Sequence, residues 1–336
     1  MNYYLGVDIG TSSVKSLLMD ATGNIAGTSQ IGYDIIKSSL KYAEQNMEEL
    51  WEATKRTISD IVKRYPVESA KIQGISYSGQ MHGLVMVDKD GRLIRNAIIW
   101  ADQRSAGEIE KIYQTVGKDA YRSVALNSLS TGFLISSLMW VKEHEPEYYE
   151  KIHTVMFPKD YIRYRMCGEL GTDMSDASSG AIFDTRNRQW AWELIEKLGM
   201  NKEIFPECRE SSEIAGEVTE DCAASTGLKA GIKIAYGGGD TLMQGVGNGI
   251  IAPGTLAANI GTACQLSGGF HEPVYDKEFR TNTFCHVKKD LWMLMGAHLS
   301  GGVALKWLEK QILDMGPFDE MRGLASPVQA GSAGRD

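Results

Sequence analysis

One five-residue pattern occurs twice in this chain, each time in the same setting. Asp8-Ile9-Gly10-Thr11-Ser12 follows a short apolar alternation, Leu5, Val7 and Ile9, and precedes a second strand-like run from Val14 to Met19. About 250 residues later Asn259-Ile260-Gly261-Thr262-Ala263 again sits between two apolar segments. The matching strand context argues against a chance echo. Two copies of one supersecondary unit at that separation predict a duplicated fold with two similar halves.

The surroundings of the first copy fix the layers. Asp20-Ala21-Thr22-Gly23-Asn24 reads as a second turn, with a third strand from Ile25, so the chain opens on an antiparallel meander. Asn46 reads as a helix N-cap with Glu49 three residues on. Leu50, Thr54, Ile58, Ile61 and Tyr65 supply the 3.6-residue stripe, and Pro66 ends it. A strand from Ile72 to Tyr77 leads into Ser78-Gly79-Gln80-Met81-His82-Gly83, then a strand from Leu84 to Val87 and a turn at Lys89 to Arg92. A sheet with helices against it is α/β architecture. Residues 105–165 read as mostly helical. Ile232 to Tyr236 reads as a strand ending in Gly237-Gly238-Gly239-Asp240. Near the end Ser300 is expected to cap a last helix bearing Leu305, Leu308 and Ile312, closed by Gly316-Pro317, and the small polar residues beyond read as a disordered tail.

Charge and cysteine usage narrow the partners. Net charge is -8, with 43 acidic against 35 basic residues, interspersed and without a basic run. That argues against nucleic acid or an anionic membrane as the main partner. Five widely spaced cysteines without a C-x-x-C predict a reducing compartment and no structural zinc. The first basic residue is Lys15, unlike a signal peptide, and the uncharged run from Leu291 to Leu305 is too short and polar to span a bilayer. A cytoplasmic location is the expectation.

The motifs suggest phosphate and polyol chemistry. At a strand-turn-strand corner Gly10 lets backbone approach an oxyanion, and the amides and hydroxyls of Thr11 and Ser12 can donate to it. Asp8 at the strand end can hold Mg²⁺ directly or through water, and Lys15 on the outgoing strand can reach phosphates. A plain hairpin turn is the alternative. Gly261 and Thr262 would supply a second phosphate clamp. Asp240 follows three glycines that leave room for a substrate, and can take a proton from an attacking hydroxyl or simply cap a helix. Gln80, Met81 and His82 suit a polyol, although for a lone histidine such as His82 a satisfied, semi-buried structural role is the favoured reading. Trp100, Asp102 and Arg104 follow an apolar strand and read either as a sugar-facing group or as a surface salt bridge.

Together these residues resemble the FGGY carbohydrate kinases. The resemblance runs to about Gly316 and rests on Asp8 to Ser12, Ser78 to Gly83, Trp100-x-Asp102-x-Arg104, Pro158-Lys159-Asp160-Tyr161, Asp173 to Ala177, Gly237 to Asp240 and Gly261-Thr262. It implies an α/β fold of the actin-like, ribonuclease H-like ATPase type, with the N-terminal, sugar-binding domain over residues 1–245. The start of an incomplete second domain would follow over 246–316, and the tail over 317–336. It implies ATP and Mg²⁺ as cofactors and transfer of the γ-phosphoryl group to the 5-hydroxyl of D-xylulose. Asp240 would then be the general base, Met81 and His82 would contact the ketose, and Asp8 would act at the metal and phosphates. Gly10, Thr11 and Thr262 would cradle phosphate oxygens, and Asp102 and Arg104 would lie toward the sugar. Lys159, Asp160 and Asp176 read as structural. The family continues into a full second domain with an adenosine-binding segment not seen here, so turnover is expected to be weak or absent in this form. A kinase for ribulose, gluconate or glycerol, or a non-catalytic sugar-binding fragment, is the alternative. Small molecules are the expected partners, with a homodimer left open.

Overall fold

The computed structural model describes residues 1–313 other than 262 and 299, together with 320, 321, 323, 326 and 327. Its first sheet begins with β1 (Tyr3–Ile9), β2 (Ser13–Asp20) and β3 (Ile25–Gly32), paired antiparallel in sequence order. Strict alternation buries Leu5, Val7 and Ile9 on one face and leaves Asp8 half-buried on the other.

Helix α1 (Met47–Arg64) covers the buried face. Asn46 caps it by accepting from the Glu48 amide at 3.0 Å, and Met47, Leu50, Trp51, Thr54, Ile58 and Ile61 point inward. Ser16 of β2 and Thr57 of α1 satisfy one another at 2.8 Å inside that interface. Pro66 ends α1 as expected, and also opens a short second helix, Pro66–Ser69, because a first-turn position needs no amide donor. A two-residue strand, β4 (Glu44–Gln45), precedes α1.

Strand β5 (Ile72–Gly79) joins the sheet parallel to β1, two residues longer than its apolar run suggested. Beyond it lie Lys233–Ala235, parallel to β5, and Ile214–Glu217, antiparallel to that. Gly238–Gly239 resumes the parallel pairing with β5. The strand ends of β1, β5 and Gly238–Gly239 therefore open onto one edge of the sheet, the place where open α/β sheets hold ligands.

The middle of the chain forms helices Ala106–Val116, Lys118–Ala125 and Leu134–His144, which share a second apolar cluster with Leu84, Met86 and Ile98. Pro158–Cys167 and Met174–Ser179 lie behind the open edge, against β5 and Gly238–Gly239 respectively.

The echoed motif repeats in three dimensions. Leu256–Ile260 and Cys264–Phe270 form an antiparallel pair, extended by Trp292–His298 and Asn282–Cys285 into a four-stranded sheet. In the first copy Ile9 pairs with Val14, and in the second Ile260 pairs with Cys264, so the second turn is one residue shorter. The two units are sewn together by Asn127, whose side chain donates to Thr283 O and accepts from Thr283 N, both at 2.8 Å. The helix expected from Ser300 is Gly302–Trp307; it is preceded by Gly301 at the cap position instead of Ser300, and runs into a π-helix, Leu308–Leu313. Its expected stripe is not a buried one: Leu305 and Ile312 are exposed. Gly316-Pro317 and most of 317–336 lie outside the described residues. Among the described residues no helix is long and apolar enough to cross a membrane.

Candidate active site

Strand register brings the expected residues to one edge. Asp8 of β1 and Gly238 lie on either side of Ser78 in β5, and Asp240 follows one residue past the end of its strand. Lys15 sits directly opposite Asp8 across the β1–β2 ladder. Cross-strand neighbours share a face, so the ammonium and carboxylate lie on the same side of the sheet. Burial raises the Asp8 pKa above that of an ordinary aspartate, against the pull of the Ser78 hydroxyl and the Lys15 charge.

Asp240 is the first residue of helix Asp240–Gly247. Gly239 holds the cap position, so capping does not account for this carboxylate. Its Oδ1 accepts from the Thr241 amide at 2.6 Å. Burial raises its pKa to about 6, the Thr241 amide opposes the shift, and the Asp8 charge adds to it.

The glycines before Asp240 leave no open room, contrary to expectation. A Cβ on Gly237, where φ is +75°, would sit 2.4 Å from Tyr77 O; one on Gly238 would sit 2.4 Å from Val287 Cγ1 and 2.8 Å from Ser175 Oγ. One on Gly239 would lie 2.7 Å from Met81 Cγ. They are there because the backbone itself is packed against β5 and its neighbours.

The turn after β1 is held from behind. Gly10 N donates to Ser13 O at 3.0 Å, closing the corner, and Gly10 O accepts from the Tyr33 hydroxyl. Gln45 of β4 donates to Thr11 O at 2.7 Å, and Gln80 Nε2 donates to Gln45 Oε1 at 2.6 Å and to Gly10 O at 3.4 Å. Gln80, expected at the sugar, thus spends its amide nitrogen on the turn, while its buried Oε1 has no partner among the described residues. Trp100 is exposed and donates from its indole to Thr11 Oγ1 at 2.9 Å. Ser12 is exposed at the tip of the turn.

Asp102 and Arg104 form neither a ligand-facing group nor a surface pair. Asp102 is fully buried and accepts from Ala43 N at 2.7 Å, while Arg104 Nε and Nη2 both reach its carboxylate and Nη2 also meets Glu44 at 2.6 Å. The guanidinium lies 3.8 Å from the Tyr42 ring centroid. Every strong acceptor of Asp102 is already used, so the pair fixes the loop that presents Trp100.

His82 sits in a strained corner. Its φ is +74°, and Gly83 N donates to Met81 O at 2.9 Å, a γ-turn of the rare form. The ring stacks on Phe133 at 4.0 Å. Nδ1 lies 2.7 Å from Ser179 O. A carbonyl only accepts, so Nδ1 carries the proton and Nε2 is left as an acceptor. Burial lowers the His82 pKa to about 4, so the ring stays neutral near pH 7. Met81 is buried beside it with Leu242, Phe284, Val287 and Met293.

In the second copy Gly261 N donates to Ala263 O at 2.9 Å, and Gly302 N donates to Gly261 O at 2.7 Å. Thr262 lies outside the described residues. Sequence reasoning placed Ser78 and Ser175 in motifs without giving them a role, and missed Tyr33, Gln45 and Ser179. Only the Asp173-Met174-Ser175-Asp176 spacing carried a local signal, since Asp173 caps its helix through Ser175 N.

A central sheet with its parallel strand ends open to a carboxylate pair, and a second sheet repeating the strand-turn-strand unit, define the actin-like, ribonuclease H-like ATPase fold. Residues 3–247 match the N-terminal domain of the FGGY family of carbohydrate kinases. The chain belongs to that family. It is 32% identical over 334 residues to a xylulose kinase of Bacillus subtilis, covering 99% of this chain and 67% of that protein. Against a xylulose kinase of Escherichia coli identity is also 32%, covering 91% of this chain and 62% of that protein. A crystal structure titled "xyloylose kinase" from Brucella ovis superposes with a TM-score of 0.92 at 32% identity, covering 99% of this chain and 68% of the other. The chain thus spans about two thirds of the length of these relatives.

Proposed function

We propose that this chain carries the sugar site and the first phosphate-binding turn of an ATP- and Mg²⁺-dependent kinase acting on D-xylulose. The observation that carries the reading is the paired placement of Asp8 and Asp240 at the open strand ends, with Asp240 tuned to about 6. A carboxylate with that affinity is unprotonated at neutral pH, yet basic enough to accept a proton from a hydroxyl as phosphoryl transfer proceeds. The names of the relatives supply the sugar. Residues 1–245 are the proposed sugar-binding domain, and 246–316 the start of the second.

On this reading Asp240 takes the proton of the 5-hydroxyl. His82 Nε2 accepts a hydrogen bond from another sugar hydroxyl, its tautomer fixed by Ser179 O. At the corner that Gly10 closes, Thr11 and Ser12 present backbone amides and hydroxyls to phosphate oxygens, and Lys15 adds positive charge beside Asp8. Mg²⁺, when bound with ATP, neutralises charge on the transferred phosphoryl group. The residues present fit that ion: Asp8 offers a half-buried, hard oxygen donor, and its charge already presses on Asp240, a repulsion a divalent cation relieves.

A coupled ADP-release assay with Mg-ATP and D-xylulose tests the proposal, with D-ribulose, gluconate and glycerol as comparison substrates. Turnover selective for xylulose is the expected result for a competent chain. Xylulose binding by calorimetry without turnover would place the sugar site here and the remaining ATP contacts elsewhere. Neither binding nor turnover would reject the proposal.

A further inference from the structure

Behind the open edge lies a charged cluster with no access to solvent. Lys159, Asp160, Asp173 and Asp176 are all fully buried, and Lys159 Nζ lies 2.6, 2.8 and 3.1 Å from the three carboxylates in that order. Burial alone would lower the Lys159 pKa, and the three carboxylates outweigh it and hold it charged. Arg163 Nε adds a second cation 4.0 Å from Asp160. Burial, with Asp173 and Asp160 nearby, raises the Asp176 pKa well above the ordinary range despite Lys159.

Charges this deep are costly to desolvate, and apolar residues of similar size often give equal stability. The cluster's connections offer another reason for it. Asp173 Oδ2 accepts from the Ser175 hydroxyl and from Ser211 Oγ at 2.6 Å, and Ser175 Oγ accepts from Gly239 N at 3.0 Å. Gly239 is the residue before Asp240. On the other side Ser179 Oγ lies 3.4 Å from Asp176 Oδ1 and accepts from His82 N at 3.2 Å. The cluster also touches the end of β5, where a Cβ on Gly79 would stand 2.6 Å from Lys159 Cβ.

We propose that Lys159, Asp160, Asp173 and Asp176 form a positioning device that reaches Asp240 through Ser175 and Gly239, and His82 through Ser179. It rests on the reading of Asp240 and His82 as the working groups. One buried ion cluster then sets the spacing between the base and the sugar-facing imidazole. Its members are positioning residues and touch no substrate.

The test uses the full 336-residue chain with Ser175→Ala and Ser179→Ala, which leave every ion pair of Lys159 in place, and Asp173→Asn, which removes its 2.8 Å partner and keeps Asp160 and Asp176. Amide hydrogen exchange of Gly239 and His82 is followed beside the global unfolding free energy. Ser175→Ala and Asp173→Asn are expected to speed exchange at Gly239 about tenfold and leave His82 unchanged, and Ser179→Ala the reverse. In a turnover assay the first pair lowers kcat about tenfold and Ser179→Ala raises the xylulose KM instead. Unchanged exchange at both amides in folded variants, or a rise at both matching the loss of global stability, overturns the positioning role. Absence of xylulose binding in the parent chain would instead reject the kinase reading, and the exchange pattern would still decide the inference.

Discussion

Asp240, the proposed general base, shows how a buried carboxylate can tax the fold that carries it. Its carboxyl titrates at about 6 in the folded chain and near 3.8 when unperturbed, so the native state holds the proton more tightly than the unfolded one. The stability this confers is complete below the unfolded value and is lost as pH rises through 6. At neutral pH the buried charge therefore costs about 3 kcal/mol. Asp240→Asn is expected to stabilise the chain by about that amount at pH 7.5 and by little at pH 4, measured by urea unfolding at both. The same variant should lose turnover while sugar binding holds, because a base acts mainly in the transition state. Equal loss of binding would sink the assignment. His82 behaves oppositely: its lowered pKa makes protonation unfavourable to the fold, and it should remain a neutral acceptor throughout the range in which Asp240 works.

At the scale of elements, the turn between the Lys233–Ala235 strand and the Asp240–Gly247 helix has almost no freedom. Gly237 combines a φ of +75° with a Cβ direction blocked by the Tyr77 backbone. Gly237→Ala should cost about 2–4 kcal/mol in denaturant unfolding, from left-handed strain and forced displacement of β5 together. A cost under about 0.5 kcal/mol would show that the turn yields, and that the backbone approach does not place Asp240. Helix α1 is held by ordinary packing. Ile58 is fully buried against the sheet, and Ile58→Ala should cost about 2–4 kcal/mol in the same measurement.

Across the whole molecule, apolar exposure is concentrated in the second unit. Leu256, Ile260 and Leu266 on its sheet, with Trp307 and Ile312 on its last helical segments, are each more than half exposed. Such a surface favours association. Light scattering of the purified chain should show self-association that grows with concentration and persists at 0.5 M NaCl; a monomer at every concentration would contradict this. The sequence by itself determined the meander, the cap at Asn46, the strand leading to Ser78 and the repeated corner, because each is set by local alternation and turn chemistry. It also singled out Asp8 and Asp240, carboxylates that end apolar strands. Only the tertiary structure decided what surrounds them. Gln45 meets Gln80 35 residues away, and Ser179 meets His82 97 residues away. Asp102 and Arg104, adjacent in the motif, turn inward to Ala43 and Glu44. Hydrogen bonds between distant segments leave no period in the chain, and they exist only once strand register has brought those segments together.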